Sequence, residues 1–93
     1  MLSFFAEFYH TAYGVTCSDS GFMDLSTAEE CSGAVGYVKS FKSTARYIME
    51  FSSDFEPKGC FMMLGDFGGM WFNSHSTGRA TSSRLSICRK GNT

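Results

Sequence analysis

Four cysteines, two histidines and a scatter of hydroxyl and carboxylate groups are the residues here whose types could do chemistry. Cys17, Cys31, Cys60 and Cys88 contain no C-x-x-C pair, and only His10 and His75 stand ready to join them. Structural zinc sites usually present ligands in close pairs, so this spacing favours two disulfides over a metal. Such bridges typically contribute about 2–4 kcal/mol each by restricting the unfolded chain, and they imply an oxidising compartment. His75 lies between Ser74 and Ser76, but neighbours in sequence do not make a nucleophile–base pair, and no orienting carboxylate is marked. His10 stands in an aromatic stretch from which it could ligate a metal or pigment, although packing is the commoner use of such a residue. Asp66-Phe67-Gly68 spells a kinase metal-binding tripeptide without any companion motif. The glycines of 65–69 lack the Gly-Lys-Ser/Thr and the following helix of a phosphate cradle. Asn73-Ser74-His75 lacks the third-position hydroxyl of a glycosylation acceptor. The expectation is a protein with no catalytic residues, no metal and no cofactor.

These groups need elements to position them. Residues 59–64 and 70–73 are apolar runs around a loop with three glycines, which reads as a β-hairpin with a loop of about five residues. With Leu64 opposite Met70, Cys60, Met62, Leu64, Met70 and Phe72 share one face, and Phe61, Met63, Trp71 and Asn73 the other. Pro57 suits the entry, since it cannot donate to a central ladder. Upstream, Ser26-Thr27-Ala28-Glu29 reads as a capping box, with Ser26 as cap and Glu29 reaching back. It opens a helix over about 27–39 whose apolar stripe is Ala28, Cys31, Ala34/Val35 and Val38. Gly33 and Gly36 weaken that helix by about 1 kcal/mol each relative to alanine, and read as points of close approach to a sheet.

Residues 45–51 read as a strand with Tyr47, Met49 and Phe51 on one side, although Ile48 breaks the alternation. Residues 85–88 alternate as a final short strand, and 74–83 form a polar loop. The start, residues 2–9, is either a short amphipathic helix or an aromatic arm. The expected organisation is an N-terminal aromatic arm over 1–13 and one disulfide-stabilised domain over 14–93. The fold class is α+β: one N-capped helix packed on a small antiparallel sheet with a central hairpin, stapled by two disulfides. Of the three pairings that four cysteines allow, Cys31–Cys60 pins the helix to the hairpin and Cys17–Cys88 draws the ends together. These are favoured, while the residues alone leave the other two open.

A chain of 93 residues makes one thin-cored domain. Its net charge of −1 argues against a general nucleic-acid binder. Residues 1–38 carry acids without Lys or Arg, and 67–93 carry bases without acids. The two ends are therefore expected to attract one another, unless the basic tail meets an acidic partner. No apolar run reaches membrane-spanning length, which leaves peripheral contact as the expectation. The opening residues lack the basic start of a signal peptide, and Glu7 interrupts their apolar region. In an oxidising compartment, a targeting segment would have been removed or would lie outside this numbering.

Cys17, Ser26 to Cys31 with Ala34, Pro57-Lys58-Gly59-Cys60, Trp71-Phe72-Asn73 and Ile87-Cys88 together resemble a small four-cysteine module of algal and protist proteins. The likeness spans about Cys17 to Cys88 and implies no activity. More loosely, one helix stapled to a small sheet resembles PAN/apple-type modules, which bind proteins or carbohydrates. A two-layer domain with one helix covers one sheet face. The other face, with Phe61, Met63 and Trp71, then needs a cover: either residues 2–9 or a partner, for which these residue types suit. The leading expectation is a non-catalytic structural subunit that docks onto a larger protein complex through Phe61, Met63, Trp71 and the N-terminal Phe4, Phe5 and Phe8. The algal resemblance suggests a pigment–protein partner, a photosystem–antenna supercomplex met on its thylakoid-lumen side. The alternative is an extracellular carbohydrate- or protein-binding module, with Trp71 stacking on a sugar and Asn73 and Asp66 bonding to it.

Overall fold

The computed structural model describes residues 7–63, 65 and 67–90. Strand β1 (Phe8–His10) is followed by a 3-10 turn at Ser18–Ser20 and by β2 (Phe22–Asp24). Two short helices come next, α1 (Ala28–Gly33) and α2 (Val35–Lys39), then β3 (Arg46–Phe51), β4 (Gly59–Met63), β5 (Gly69–Asn73) and β6 (Arg84–Lys90). The sheet runs β1-β6-β4-β5-β3, with β2 also paired to β6. The fold is therefore α+β, an N-capped helical segment on a largely antiparallel sheet with a hairpin.

The hairpin forms with a register different from the expected one. Met70 pairs with Met62, and Phe61 with Trp71, whereas Leu64, the expected partner, lies outside the described residues. The slip is two residues, and because side chains alternate with period two it leaves the described hairpin side chains on their expected faces. Cys60, Met62, Met70 and Phe72 enter the core with Leu85 and Ile87 of β6 and with Cys31, Ala34 and Val38 of the helices.

The cap sits one residue later than Ser26. Thr27 Oγ1 accepts from the Glu30 N–H at 3.0 Å, and Glu30 Oε1 accepts from the Thr27 N–H at 3.2 Å. Ser26 adds two donors to the same oxygen, from its N–H at 2.6 Å and its hydroxyl at 2.8 Å. The expected single helix is interrupted at Ala34, between the two weakest helix formers of the segment. Gly33 and Gly36 do not touch the sheet: a Cβ on either would meet nothing within 4 Å.

β3 pairs with β5 in parallel, not antiparallel. The register shifts between Tyr47 and Met49, so Ile48 acts as an extra residue. Tyr47 consequently packs on the core, while Phe51 meets Phe61 and Trp71 on the opposite face; they do not share one side.

β6 is longer and more central than the short terminal strand expected. It holds β4 along Arg84–Ile87, β2 at Cys88–Lys90 and β1 at Ile87–Arg89. Residues 8–10 thus enter the sheet as a strand rather than a helix. The two ends of the chain adjoin there: Lys90 lies 3.9 Å from Glu7 at an exposed position, and Arg89 Nε donates to the backbone carbonyl of Asp24 at 3.4 Å. Arg84 turns instead to Glu56, at 2.8 and 3.2 Å. Cys31 is bonded to Cys60 and Cys17 to Cys88, one bridge under the helices and the other tying β6 to the loop before β2.

Candidate functional site

The sheet face opposite the helices carries a hollow of about 170 Å³ lined by Phe51, Glu56, Phe61, Met63 and Trp71. It exists because β4 and β5 alternate: the residues that do not enter the core must point here. The parallel docking of β3 brings Phe51 to the same place, edge-on to Phe61 at 5.8 Å and to Trp71 at 6.2 Å between ring centroids.

The docking residues expected from the sequence separate into three groups. Phe61, Met63 and Trp71 do come together, but Phe61 is 1% exposed and forms the floor of the hollow. Met63 and Trp71 are half-buried at its sides. Phe8 is elsewhere, packed on the helix-side core with its ring 5.9 Å from Tyr37. Phe4 and Phe5 lie outside the described residues. Two residues not anticipated for this surface join it: Phe51, and Met49, which pairs with Trp71 and is 50% exposed. The bulge at Ile48 turns them to this face, and a broken alternation was its sole trace in the sequence.

Trp71 Nε1 is buried with no hydrogen-bond partner. A buried indole N–H usually finds an acceptor, so this donor is held dry beside an apolar hollow and left unpaired.

The sugar-binding arrangement expected of Trp71 and Asn73 does not form. Asn73 is 1% exposed, and its amide is consumed by the chain. Nδ2 donates to the carbonyls of Ser53, Glu56 and Pro57, and Oδ1 accepts from the N–H groups of Ser53 and His75. Asp66 lies outside the described residues. His10 meets the Tyr37 hydroxyl at 2.7 Å and stacks on Phe41 at 4.1 Å. The His75 ring is engaged by Thr77. Among the described residues no three His, Cys, Asp or Glu side chains stand close enough to hold a metal ion.

Fold and site together define the class: a small disulfide-stapled α+β module with an apolar hollow on its helix-free face. No family model, curated protein or solved structure matches the chain. No helix among the described residues is long and apolar enough to cross a membrane, and two disulfides are consistent with an oxidising, extracytoplasmic compartment.

Proposed function

We propose that this protein is a non-catalytic accessory subunit that docks onto a larger protein assembly through its helix-free face. The observation that carries the reading is the hollow between Phe51, Phe61, Met63 and Trp71, with the unpaired indole N–H beside it. A hollow near 170 Å³ takes one benzene-sized group, since a dry apolar cavity of about 150 Å³ is enough to bind benzene. A single apolar side chain from the partner fits. Met49 and Met63 extend the contact as adaptable apolar neighbours. All four sulfurs are bridged, which leaves no thiol nucleophile. The resemblance to algal four-cysteine modules sharpens the reading to the thylakoid lumen and a photosystem–antenna supercomplex.

Native electrophoresis of source membranes is the test. The protein should migrate with a large pigment-containing complex, and Trp71→Ala or Met49→Asp should release it while both disulfides stay intact. Migration at monomer size in the unaltered protein, or undiminished association of both variants, would sink the reading. Recovery from the culture medium rather than from the lumen would overturn the compartment alone.

A further inference from the structure

The turn between α2 and β3 concentrates a charge that the rest of the chain balances. No Asp or Glu stands between Glu30 and Glu50, and Lys39, Lys42 and Arg46, three of the eight bases, fall in that stretch. Residues 39–44 and 46 are all exposed, with buried Ala45 as their anchor. No ion pair engages the three bases among the described residues. A protein of net charge −1 thus presents a corner with three unneutralised cations. Asp66, beside Phe67 in sequence and outside the described residues, subtracts at most one of them.

Two aromatic rings stand among these cations. Phe41 is 42% exposed and Phe67 77%. Phe41 is held from behind, stacked on His10 at 4.1 Å between ring centroids and edge-on to Tyr37 at 5.6 Å. Phe67 belongs to the hairpin loop, and its carbonyl accepts from Arg46 Nη1 at 2.6 Å. The Arg46 N–H donates to the Gly68 carbonyl at 2.9 Å. At Gly68 the loop and the turn come so close that a Cβ would lie 2.6 Å from Thr44. The turn is itself braced: the Lys42 N–H donates to the Val38 carbonyl at 2.8 Å, and the Lys42 carbonyl accepts from the Ala45 N–H at 3.0 Å. Turn and hairpin tip therefore form one firmly placed corner.

Cations and protruding rings in one place suit a surface that is anionic outside and apolar beneath. The rings enter the boundary between headgroups and acyl chains, and the lysine stems lie along it while their ammonium groups stay with the phosphates. Such a surface yields to a protruding ring, whereas a folded acidic partner would have to offer a fitted pocket to each one. Nucleic acid fits worse, since affinity there grows with the number of phosphates neutralised, and three bases neutralise few.

We propose that this corner is a peripheral docking site for an anionic lipid bilayer, with Phe41 and Phe67 entering the interface and Lys39, Lys42 and Arg46 meeting headgroup phosphates. So few groups give a weak and reversible contact. It is separate from the Trp71 hollow and does not depend on the docking reading.

Flotation of the full chain with protein-free vesicles is the test. The chain should bind vesicles of mixed phosphatidylglycerol and phosphatidylcholine but not phosphatidylcholine alone, and salt at about 0.5 M should release most of it. Lys39→Gln and Lys42→Gln should each weaken binding about fivefold, the worth of one base near an anionic surface. Phe67→Ser should weaken it about tenfold, the loss of one buried ring, and leave the melting temperature in place. Absence of binding overturns the proposal. So do equal binding to neutral vesicles, and affinity that survives both lysine substitutions or Phe67→Ser. Tighter binding to polyglutamate than to anionic vesicles overturns it as well, and assigns the corner to an acidic protein.

Discussion

Asn73 grips Ser53 twice: its Oδ1 accepts from the Ser53 N–H at 3.0 Å, and its Nδ2 donates to the Ser53 carbonyl at 2.7 Å. The topology explains the contact. β3 ends opposite Asn73 at Phe51, and β4 begins opposite Asn73 at Gly59. The link from β3 to β4 must therefore pass around the end of β5, and the buried amide serves its backbone there. Asn73→Ala removes those partners at a site without solvent access and should cost roughly 3 kcal/mol. Urea denaturation checks it. A loss within ordinary surface scatter would mean that the link holds itself.

The two bridges close loops of different length, with sequence separations of 29 and 71. Chain entropy alone assigns about 3.6 kcal/mol to Cys31–Cys60 and about 4.4 kcal/mol to Cys17–Cys88. Paired alanine substitutions should lower stability in that order in guanidinium. Alkylation of the denatured, unreduced protein should label no cysteine.

Two carboxylates should pull the pH profile in opposite directions. Burial opposes ionisation of Glu30, but the donors from Ser26 and Thr27 and the Arg89 charge outweigh it, so its pKa lies below the usual value. Its contribution to stability is present above the unfolded-state pKa and lost as pH falls through the folded one. Glu30→Ala should therefore destabilise at neutral pH and much less in acid. Asp24 is the reverse: burial raises its pKa, so ionisation penalises the fold at neutral pH and the penalty fades in acid. Asp24→Asn should raise the melting temperature at pH 7, with the gain vanishing near pH 3. Thermal melts of both variants across this range are the measurement.

Two glycines should answer alanine with opposite signs. At Gly68, with φ +92°, a Cβ would lie 2.6 Å from the Thr44 carbonyl carbon and oxygen. Gly68→Ala should cost more than about 2 kcal/mol, since the strained backbone adds to a clash with main chain. At Gly36 a Cβ meets open space in an ordinary helical conformation. Gly36→Ala should stabilise by up to about 1 kcal/mol. Thermal melts give both signs directly.

Short-range rules were readable in the residues themselves. Glycines announced the hairpin loop, period-two alternation assigned its faces despite a two-residue slip, and hydroxyl and acid together announced a cap near residue 27. The choice of Thr27 over Ser26 was not readable, because Ser26 and Thr27 are both good caps and the geometry of entry decides between them. Nor did residue types reveal that β3 runs parallel beside β5, that Ile48 is an inserted residue, or that β6 gathers three strands. Each of those depends on partners far away in the chain, whose pairing has no local signature. Asn73 shows the difference most plainly. In the sequence it was an amide at the end of an apolar strand, fit for a ligand; only the path of the chain around β5 made it the group that holds residues 53–57.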